Sequence, residues 1–280
     1  MMELNTESIW VTLARLYSDE TQLERPLTGI EQHRKIVLDY VWNEMKRHAE
    51  DRPPFIADDR SHFVKSRRVT IEDFDVKNSH GCLLPTSQGF TLLVKKGLDD
   101  FRRRGVLAHE LGHTFLFDLS QTPPKMYNSQ TLGPEWRNVE GPAYEIGRQI
   151  LLPEACLTAQ EYGRTPSIEN LYELRRIFRA SSYILSRRLV HDLHLWDVCV
   201  LIAESDPAIS VKGKFRGRSF SHFNIRQNFE KIRPLLVEAS ENVGEVNDKT
   251  LTIGQRTYDV QSNCTNLGTI VSIIREARST

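Results

Sequence analysis

Apolar residues recur at helical spacing in two segments near the start of the chain. The positions are Ile9, Leu13, Leu16 and Tyr17 in the first segment and Ile30, Val37, Val41 and Met45 in the second. An apolar stripe with this period is typical of a helix that buries one face. The pattern therefore predicts two amphipathic helices, followed by an irregular polar stretch up to residue 80.

Two short apolar runs follow at 81–84 and 89–94, separated by the turn-forming residues 85–88. Runs of this length between turn signals predict a pair of strands. The segment from Phe101 to Leu119 contains no proline and is apolar on more than one face, which indicates a buried helix. Asp99 is the predicted N-cap of this helix, and Asp100 adds negative charge to its first turn.

The next helix is predicted to follow Asn138 as its cap and to end at Pro153. Its apolar positions repeat at helical spacing as Val139, Ala143, Ile146 and Ile150. Within 165–195, Thr165-Pro166-Ser167 open one periodic segment and Ser181-Ser182 cap a second, which predicts a helix-turn-helix-like pair.

After Trp196 the pattern changes to short strands with one helix at 229–239. The predicted strands lie at 198–203, 209–215, 250–253, 257–260 and 269–274. The whole pattern predicts an α+β protein in three parts. These parts are a domain at 1–160, the helix-turn-helix-like segment at 161–196 and a small α+β domain at 197–280.

The predicted buried helix contains the motif His109-Glu110-Leu111-Gly112-His113. Side chains at i and i+4 lie one turn apart on the same helix face, so both imidazoles can bind one metal ion. Glu110, between them, then faces the water that the metal activates. The motif predicts a zinc hydrolase, and the alternative is a solvated helix turn with two surface histidines.

A catalytic zinc ion needs a third protein ligand. The pattern that places a glycine at 116 and a histidine at 119 is excluded, because both positions are leucine. A glutamate from a second helix is the other arrangement considered, and the helix predicted after Asn138 carries Glu140 and Glu145. The residues alone leave both glutamates open.

With these motifs, the chain resembles the ImmA/IrrE family of metallopeptidases over roughly residues 75–200. That family has a strand, the H-E-x-x-H helix, a polar loop, and a helix ending in a leucine-rich phrase, here Ile150-Leu151-Leu152-Pro153. The resemblance implies that Glu140 is the third ligand and that Glu145 is the fallback. Gly141 and Pro142 depart from the family pattern, and the proline predicts a helix that begins at or near Pro142, with Glu140 on its entry loop.

The resemblance implies a zincin-like core made of a small sheet, the H-E-x-x-H helix and the helix with the glutamate ligand. It also implies a zinc-dependent endopeptidase that makes a regulated, specific cut in a protein partner, commonly a helix-turn-helix repressor of a stress-response or mobile-element operon. Zn²⁺ is the expected cofactor, with Mn²⁺ or Fe²⁺ as alternatives. In some relatives a GAF-like sensor domain stands where this chain has residues 197–280.

In such a site Glu110 is predicted to act as the general base that takes a proton from water and passes it to the leaving amine. Tyr144, one turn beyond Glu140, is predicted to donate to the oxyanion, and the alternative is a packed tyrosine. Residues 89–95 are predicted to form an edge strand that pairs with an extended substrate.

Two other functions stay open from the sequence. One is a protease effector of a toxin-antitoxin or phage-defence system. The other is a non-catalytic regulator that binds DNA or protein and has a degenerate metal site. The arginines at 175, 176, 179, 187 and 188 make the helix-turn-helix-like segment basic, but a solvated helix face in a bundle that packs on the peptidase is favoured over DNA contact.

The composition of the chain gives limited information about its partners and its cellular compartment. Lysine plus arginine and aspartate plus glutamate each total 37, so the net charge favours no polyanionic partner. The four cysteines form no C-x-x-C pair, which predicts free thiols in a reducing cytoplasm. No apolar stretch approaches the ~20 residues that span a bilayer, and no signal-peptide pattern is present, so no membrane association is expected.

Overall fold

Helices and strands are mixed along the chain in the computed structural model, so the predicted α+β class is confirmed. The structure describes residues 7–18, 30–48, 61–75, 79–127, 138–205, 208–266 and 268–277. The chain divides into two compact units, Met1–Pro153 and Glu154–Thr280. The elements of the first unit are α1 (Glu7–Tyr17), α2 (Ile30–His48), α3 (His62–Ser66), β1 (Val69–Phe74), β2 (Gly81–Pro85), β3 (Phe90–Lys95), α4 (Asp100–His113), β4 (Phe117–Asp118), β5 (Lys125–Met126) and α5 (Glu140–Leu151).

Helices α1 and α2 confirm the two amphipathic helices predicted from the apolar stripes. Ile9 and Leu13 of α1 are fully buried, as are Val41 and Met45 of α2. Leu16 is the exception, because 42% of its surface is exposed although the stripe predicts it to be buried.

The first unit contains a three-stranded sheet with the order β1-β3-β2. Strands β2 and β3 pair antiparallel, as predicted, and β1 pairs parallel to β3 on its other side. The prediction of an irregular stretch before residue 80 was wrong for β1, where Val69, Thr70 and Ile71 favour a strand although only Val69 is buried. The prediction that 89–95 is an edge strand was also wrong, because β3 is central and β2 is an edge strand of this sheet.

Helix α4 begins as predicted, with the Asp99 carboxylate accepting a hydrogen bond of 2.9 Å from the backbone N–H of Arg102. It ends at His113, earlier than the proline-free run to Leu119 predicts. A 3₁₀ turn, Thr114–Leu116, follows, and Phe117 then pairs with Met126 in a short two-stranded ladder. This pairing takes the backbone after Leu116 out of helical geometry.

Helix α5 begins at Glu140, and its N-cap is Val139 rather than the predicted Asn138. Pro142 lies in the first turn, where a backbone N–H has no partner within the helix and its loss is tolerated. The helix therefore begins near Pro142, as predicted, but the prediction that Glu140 lies on an entry loop was wrong, because Glu140 is the first residue of the helix. The helix ends at Leu151, just before Pro153, as predicted.

The second unit is built on a five-stranded antiparallel sheet with the order β7-β6-β10-β9-β8. Its elements are α6 (Glu154–Ala159), α7 (Ile168–Phe178), α8 (Ser182–Ser186), β6 (Cys199–Glu204), β7 (Ser210–Arg216), α9 (Ile225–Glu241), β8 (Asn247–Ile253), β9 (Arg256–Cys264) and β10 (Thr269–Glu276). All five strands were predicted, and α9 was predicted with a later start. Helix α9 packs on one face of this sheet, where Leu236 of the helix and Val260 of the sheet belong to the same apolar core.

Both helices of the pair contact the same sheet: α7 does so through polar groups, and Tyr183 of α8 packs edge-on against Phe215 of β7. The Tyr172 hydroxyl donates a hydrogen bond of 2.6 Å to the Asn263 Oδ1 atom, and the Gln261 side-chain oxygen lies 3.4 Å from the backbone nitrogen of Ile168. The N-caps are Ser167 and Ser181, and each belongs to the group of residues predicted to open its helix. The pair is therefore attached to the sheet of the second unit.

The arginines of this segment are not uniformly solvated. Arg188 is only 1% exposed, and its NH1 atom lies 3.8 Å from a carboxylate oxygen of Asp192. Arg176 is exposed and pairs with Glu173. The solvated helix face expected for these arginines is therefore wrong for Arg188, which also cannot contact DNA from this position.

Two further sequence expectations bear on the chain as a whole. Cys82, Cys156, Cys199 and Cys264 are all free, as predicted. Within the described part of the chain, no helix is both long enough and apolar enough to cross a membrane.

The contact between α7 and the sheet leads to a stability prediction. Tyr172→Phe removes the donor and leaves the buried Asn263 oxygen unpaired, so we expect the free energy of unfolding to fall by about 1–3 kcal/mol. Tyr162→Phe is the control, because Tyr162 is exposed and its variant should change stability by less than about 0.5 kcal/mol. Urea unfolding measures both, and equal midpoints for the two variants would contradict the contact.

Candidate metal centre

Two histidines and a glutamate converge where the end of α4 meets the start of α5. The Nε2 atom of His109 and the Nε2 atom of His113 each lie 3.4 Å from a carboxylate oxygen of Glu140. One ligand atom from each residue lies within 4.8 Å of the other two. The three side chains therefore form a group that could bind a metal ion.

Two glycines allow α4 and α5 to approach closely enough to form this group. A Cβ atom on Gly112 would lie 2.3 Å from the backbone oxygen of Ala143, and one on Gly147 would lie 2.8 Å from the backbone oxygen of Ala108. Backbone atoms in the middle of a helix cannot move aside as a flexible side chain can. The absence of a side chain at both positions thus sets the distance between the two helices.

A buried arginine fixes the end of α4 next to His113. The Nε atom of Arg67 donates to the Thr114 hydroxyl at 3.0 Å, and its NH2 atom donates to the Thr114 carbonyl at 2.7 Å. The guanidinium carbon also lies 4.0 Å from the centre of the Phe115 ring. A cation at this position interacts favourably with the C-terminal carbonyls of a helix.

Burial keeps both imidazoles in the form that binds metals. Burial, with smaller contributions from the nearby His113 and Arg148, lowers the pKa of His109 to about 4. Burial also lowers the pKa of His113, although the charge of Glu140 opposes the shift. At neutral pH both rings are therefore uncharged and keep a free lone pair. Two neutral imidazoles and a carboxylate are a donor set that suits Zn²⁺.

Glu110 lies beside this group in a nearly closed environment. Only 8% of its surface is exposed, and a Cβ atom on Gly81 would lie 3.2 Å from its Oε1 atom. Burial and, to a smaller extent, the charge of Glu140 raise the pKa of the Glu110 carboxyl to about 7, and a hydrogen bond from the backbone N–H of Leu83 partly opposes this rise. Strand β2 thus covers Glu110 and supplies a donor to it.

The other two residues singled out from the sequence take different positions. Tyr144 is 52% exposed, and its ring stacks on the imidazole of His109 with 3.8 Å between ring centres. Glu145 points toward α2, where one of its carboxylate oxygens lies 2.5 Å from the Nε atom of Arg34. Glu140, and not Glu145, therefore faces the histidines.

The sequence analysis missed three contributors to this geometry, which are Arg67, Gly81 and the glycine pair Gly112 and Gly147. Gly112 and Gly147 could have been recognised from the sequence, because a glycine inside a helical pattern disfavours the helix and often marks close packing. No local sequence pattern marks Arg67 or Gly81, because the residues that they contact lie far away along the chain.

Comparison with known proteins relates part of the chain to a known protein family. Residues 65–190 match the peptidase M78 family model, described as the IrrE N-terminal-like domain, and this confirms the resemblance noted above. No curated protein matches the chain. Among solved structures, a Mycobacterium tuberculosis transcriptional regulator aligns with a TM-score of 0.47 and 13% identity, over 96% of this chain and 76% of that protein. The matched family segment contains every residue of the candidate metal centre.

Close helix packing predicts opposite effects for two substitutions within α5. Gly147→Ala forces a methyl group against the backbone of Ala108, and we expect it to lower the free energy of unfolding by about 1–3 kcal/mol. Gly141→Ala is the matched control, because a Cβ atom there has no neighbour within 4 Å. It should raise the free energy of unfolding by about 0.5–1 kcal/mol, since alanine favours a helix over glycine. Urea unfolding separates the two, and the same sign for both would contradict the packing argument.

Proposed function

We propose that this chain, whose residues 65–190 match the IrrE N-terminal-like domain, is a zinc-dependent endopeptidase. The observation that carries the proposal is the convergence of His109, His113 and Glu140, with one ligand atom from each within 4.8 Å of the others. Strands β1–β3 with helices α4 and α5 then serve as a zincin-like core. In this core α4 supplies two ligands and the general base, and α5 supplies the third ligand.

The chemistry divides between the metal and the protein. When bound, a zinc ion supplies Lewis acidity that activates a water molecule and polarises the scissile carbonyl. Glu110 accepts the proton of the attacking water and passes it to the nitrogen of the leaving amine. The Leu83 N–H holds the Glu110 carboxylate in one orientation during these transfers.

Two further parts of the site contact the substrate in this proposal. Tyr144, whose half-exposed ring stacks on His109, is proposed to donate its hydroxyl to the oxyanion. Strand β2 is an edge strand beside Glu110, so it replaces β3 as the strand that pairs with an extended substrate. Family membership supports a protein substrate, and we propose a helix-turn-helix repressor that a single cut inactivates.

Metal content tests the ligand assignment. We expect about one zinc ion per chain in the purified wild-type protein and a loss of at least tenfold in zinc affinity for Glu140→Gln. Glu145→Gln makes the same chemical change on the same helix, but Glu145 pairs with Arg34, so this variant should keep its zinc. Mass spectrometry of the metal measures all three proteins. Zinc loss from Glu145→Gln alone, or a metal-free wild type, would contradict the assignment.

Cleavage tests the catalytic role of Glu110. We expect the zinc-loaded wild type to create a small set of new protein N-termini in a lysate of the source cells. Glu110→Gln should produce them at least about 100-fold more slowly, because the amide cannot accept the proton, while it keeps its zinc and its unfolding midpoint. Sequencing of N-termini by mass spectrometry gives the rates. Equal rates would refute the role of Glu110, and no new N-termini with wild type would refute the endopeptidase.

A further inference from the structure

A cavity of about 520 Å³ lies in the second unit, between β7 and the first turns of α9. Its lining residues come from these two elements only and are Val211, Lys212, Gly213, Lys214, Ile225, Arg226 and Phe229. None of them takes part in the candidate metal centre. The volume falls within the roughly 300–1,000 Å³ that small-molecule sites occupy in proteins.

The inner wall of the cavity is apolar and continues into the core of the unit. Ile225 and Phe229 are one turn apart on the same face of α9. Ile225 is buried, and Phe229 packs against the core that α9 shares with the sheet. This wall is suited to the apolar or aromatic body of a ligand.

The rim of the cavity carries three cations and therefore has a different chemistry. Lys212 is neutralised by Glu204, whose carboxylate oxygen lies 3.1 Å from its Nζ atom. In the part of the chain that the structure describes, the side chains of Lys214 and Arg226 have no acidic partner. Both are exposed. Among the described residues, two positive charges without an acidic partner therefore lie at the mouth of an apolar cavity.

The first backbone N–H groups of α9 do not add to this charge. The Asn224 side chain accepts hydrogen bonds from the backbone nitrogens of Arg226 and Gln227, at 3.1 and 3.3 Å. An anion at the rim would therefore be bound by the side chains of Lys214 and Arg226. A guanidinium can hold a carboxylate or phosphate with two parallel hydrogen bonds, and an ammonium adds a point charge.

We propose that this cavity binds a small anionic molecule, whose apolar or aromatic body lies against Ile225 and Phe229. Its carboxylate or phosphate group is held by Lys214 and Arg226. The inference stands on the second unit alone and does not depend on metal binding or peptide cleavage.

The experiment uses two fluorescent probes that differ in charge. One is 1-anilinonaphthalene-8-sulfonate, and the other is the neutral N-phenyl-1-naphthylamine. We expect the full-length wild type to bind the sulfonate saturably, and the double variant Lys214→Gln/Arg226→Gln to bind it at least about tenfold more weakly. Binding of the neutral probe should stay within about twofold.

A matched double variant removes the same charges from elsewhere on the same helix. Lys231 and Arg233 are exposed on α9 and do not line the cavity. Lys231→Gln/Arg233→Gln should therefore bind the sulfonate as the wild type does. Non-saturable binding by the wild type, or an equal loss in both double variants, would overturn the proposal. An equal loss of both probes from Lys214→Gln/Arg226→Gln would also overturn it, because the effect would then be structural.

Competition identifies the class of the anionic group. Displacement of the sulfonate probe by adenosine monophosphate would support a phosphate on an aromatic body. Displacement by decanoate would support a carboxylate on an aliphatic chain. If neither compound displaces the probe at millimolar concentration, the proposed ligand class is wrong.

Discussion

The close approach of α4 and α5 is the constraint on which the candidate metal centre depends. At Gly112 and Gly147 the backbone of each helix occupies the space that a side chain would need. A larger residue at either position would increase the distance between His109 and Glu140, which come from different helices. A catalytic constellation must hold its groups to within about half an ångström, so helix packing decides whether this one can act.

Burial then determines the charges of the groups that the packing brings together. The same low-polarity surroundings lower the pKa of both histidines and raise that of Glu110. Desolvation always disfavours the charged form, so an imidazole loses its proton more readily and a carboxyl keeps its proton more firmly. The Leu83 N–H on β2 partly offsets the effect at Glu110. The packing of the helices and the hydrogen bond from β2 therefore together determine the acid–base character of this centre.

The sheet of the second unit has helices packed against both of its faces. On one face α9 packs through apolar side chains such as Leu236, and the cavity extends this apolar surface toward the edge strand β7. Residues of α7 and the adjoining loop contact the sheet through polar groups, including the hydrogen bond from Tyr172 to Asn263. Successive residues of a strand point to opposite faces, which allows β9 to present Val260 to one helix and Asn263 to the other.

The sequence by itself determined the features that depend on neighbours a few residues apart. These include the i, i+4 histidines, the caps Asp99, Ser167 and Ser181, and the strands of the second unit, because helix and strand periods are local. Only the tertiary structure decided which glutamate faces the histidines, since Arg34 on α2 holds Glu145. It also decided that β3 is central, because the position of β1 in the sheet is known only from its pairing with β3. Such contacts join residues that are distant along the chain, and no local pattern contains them.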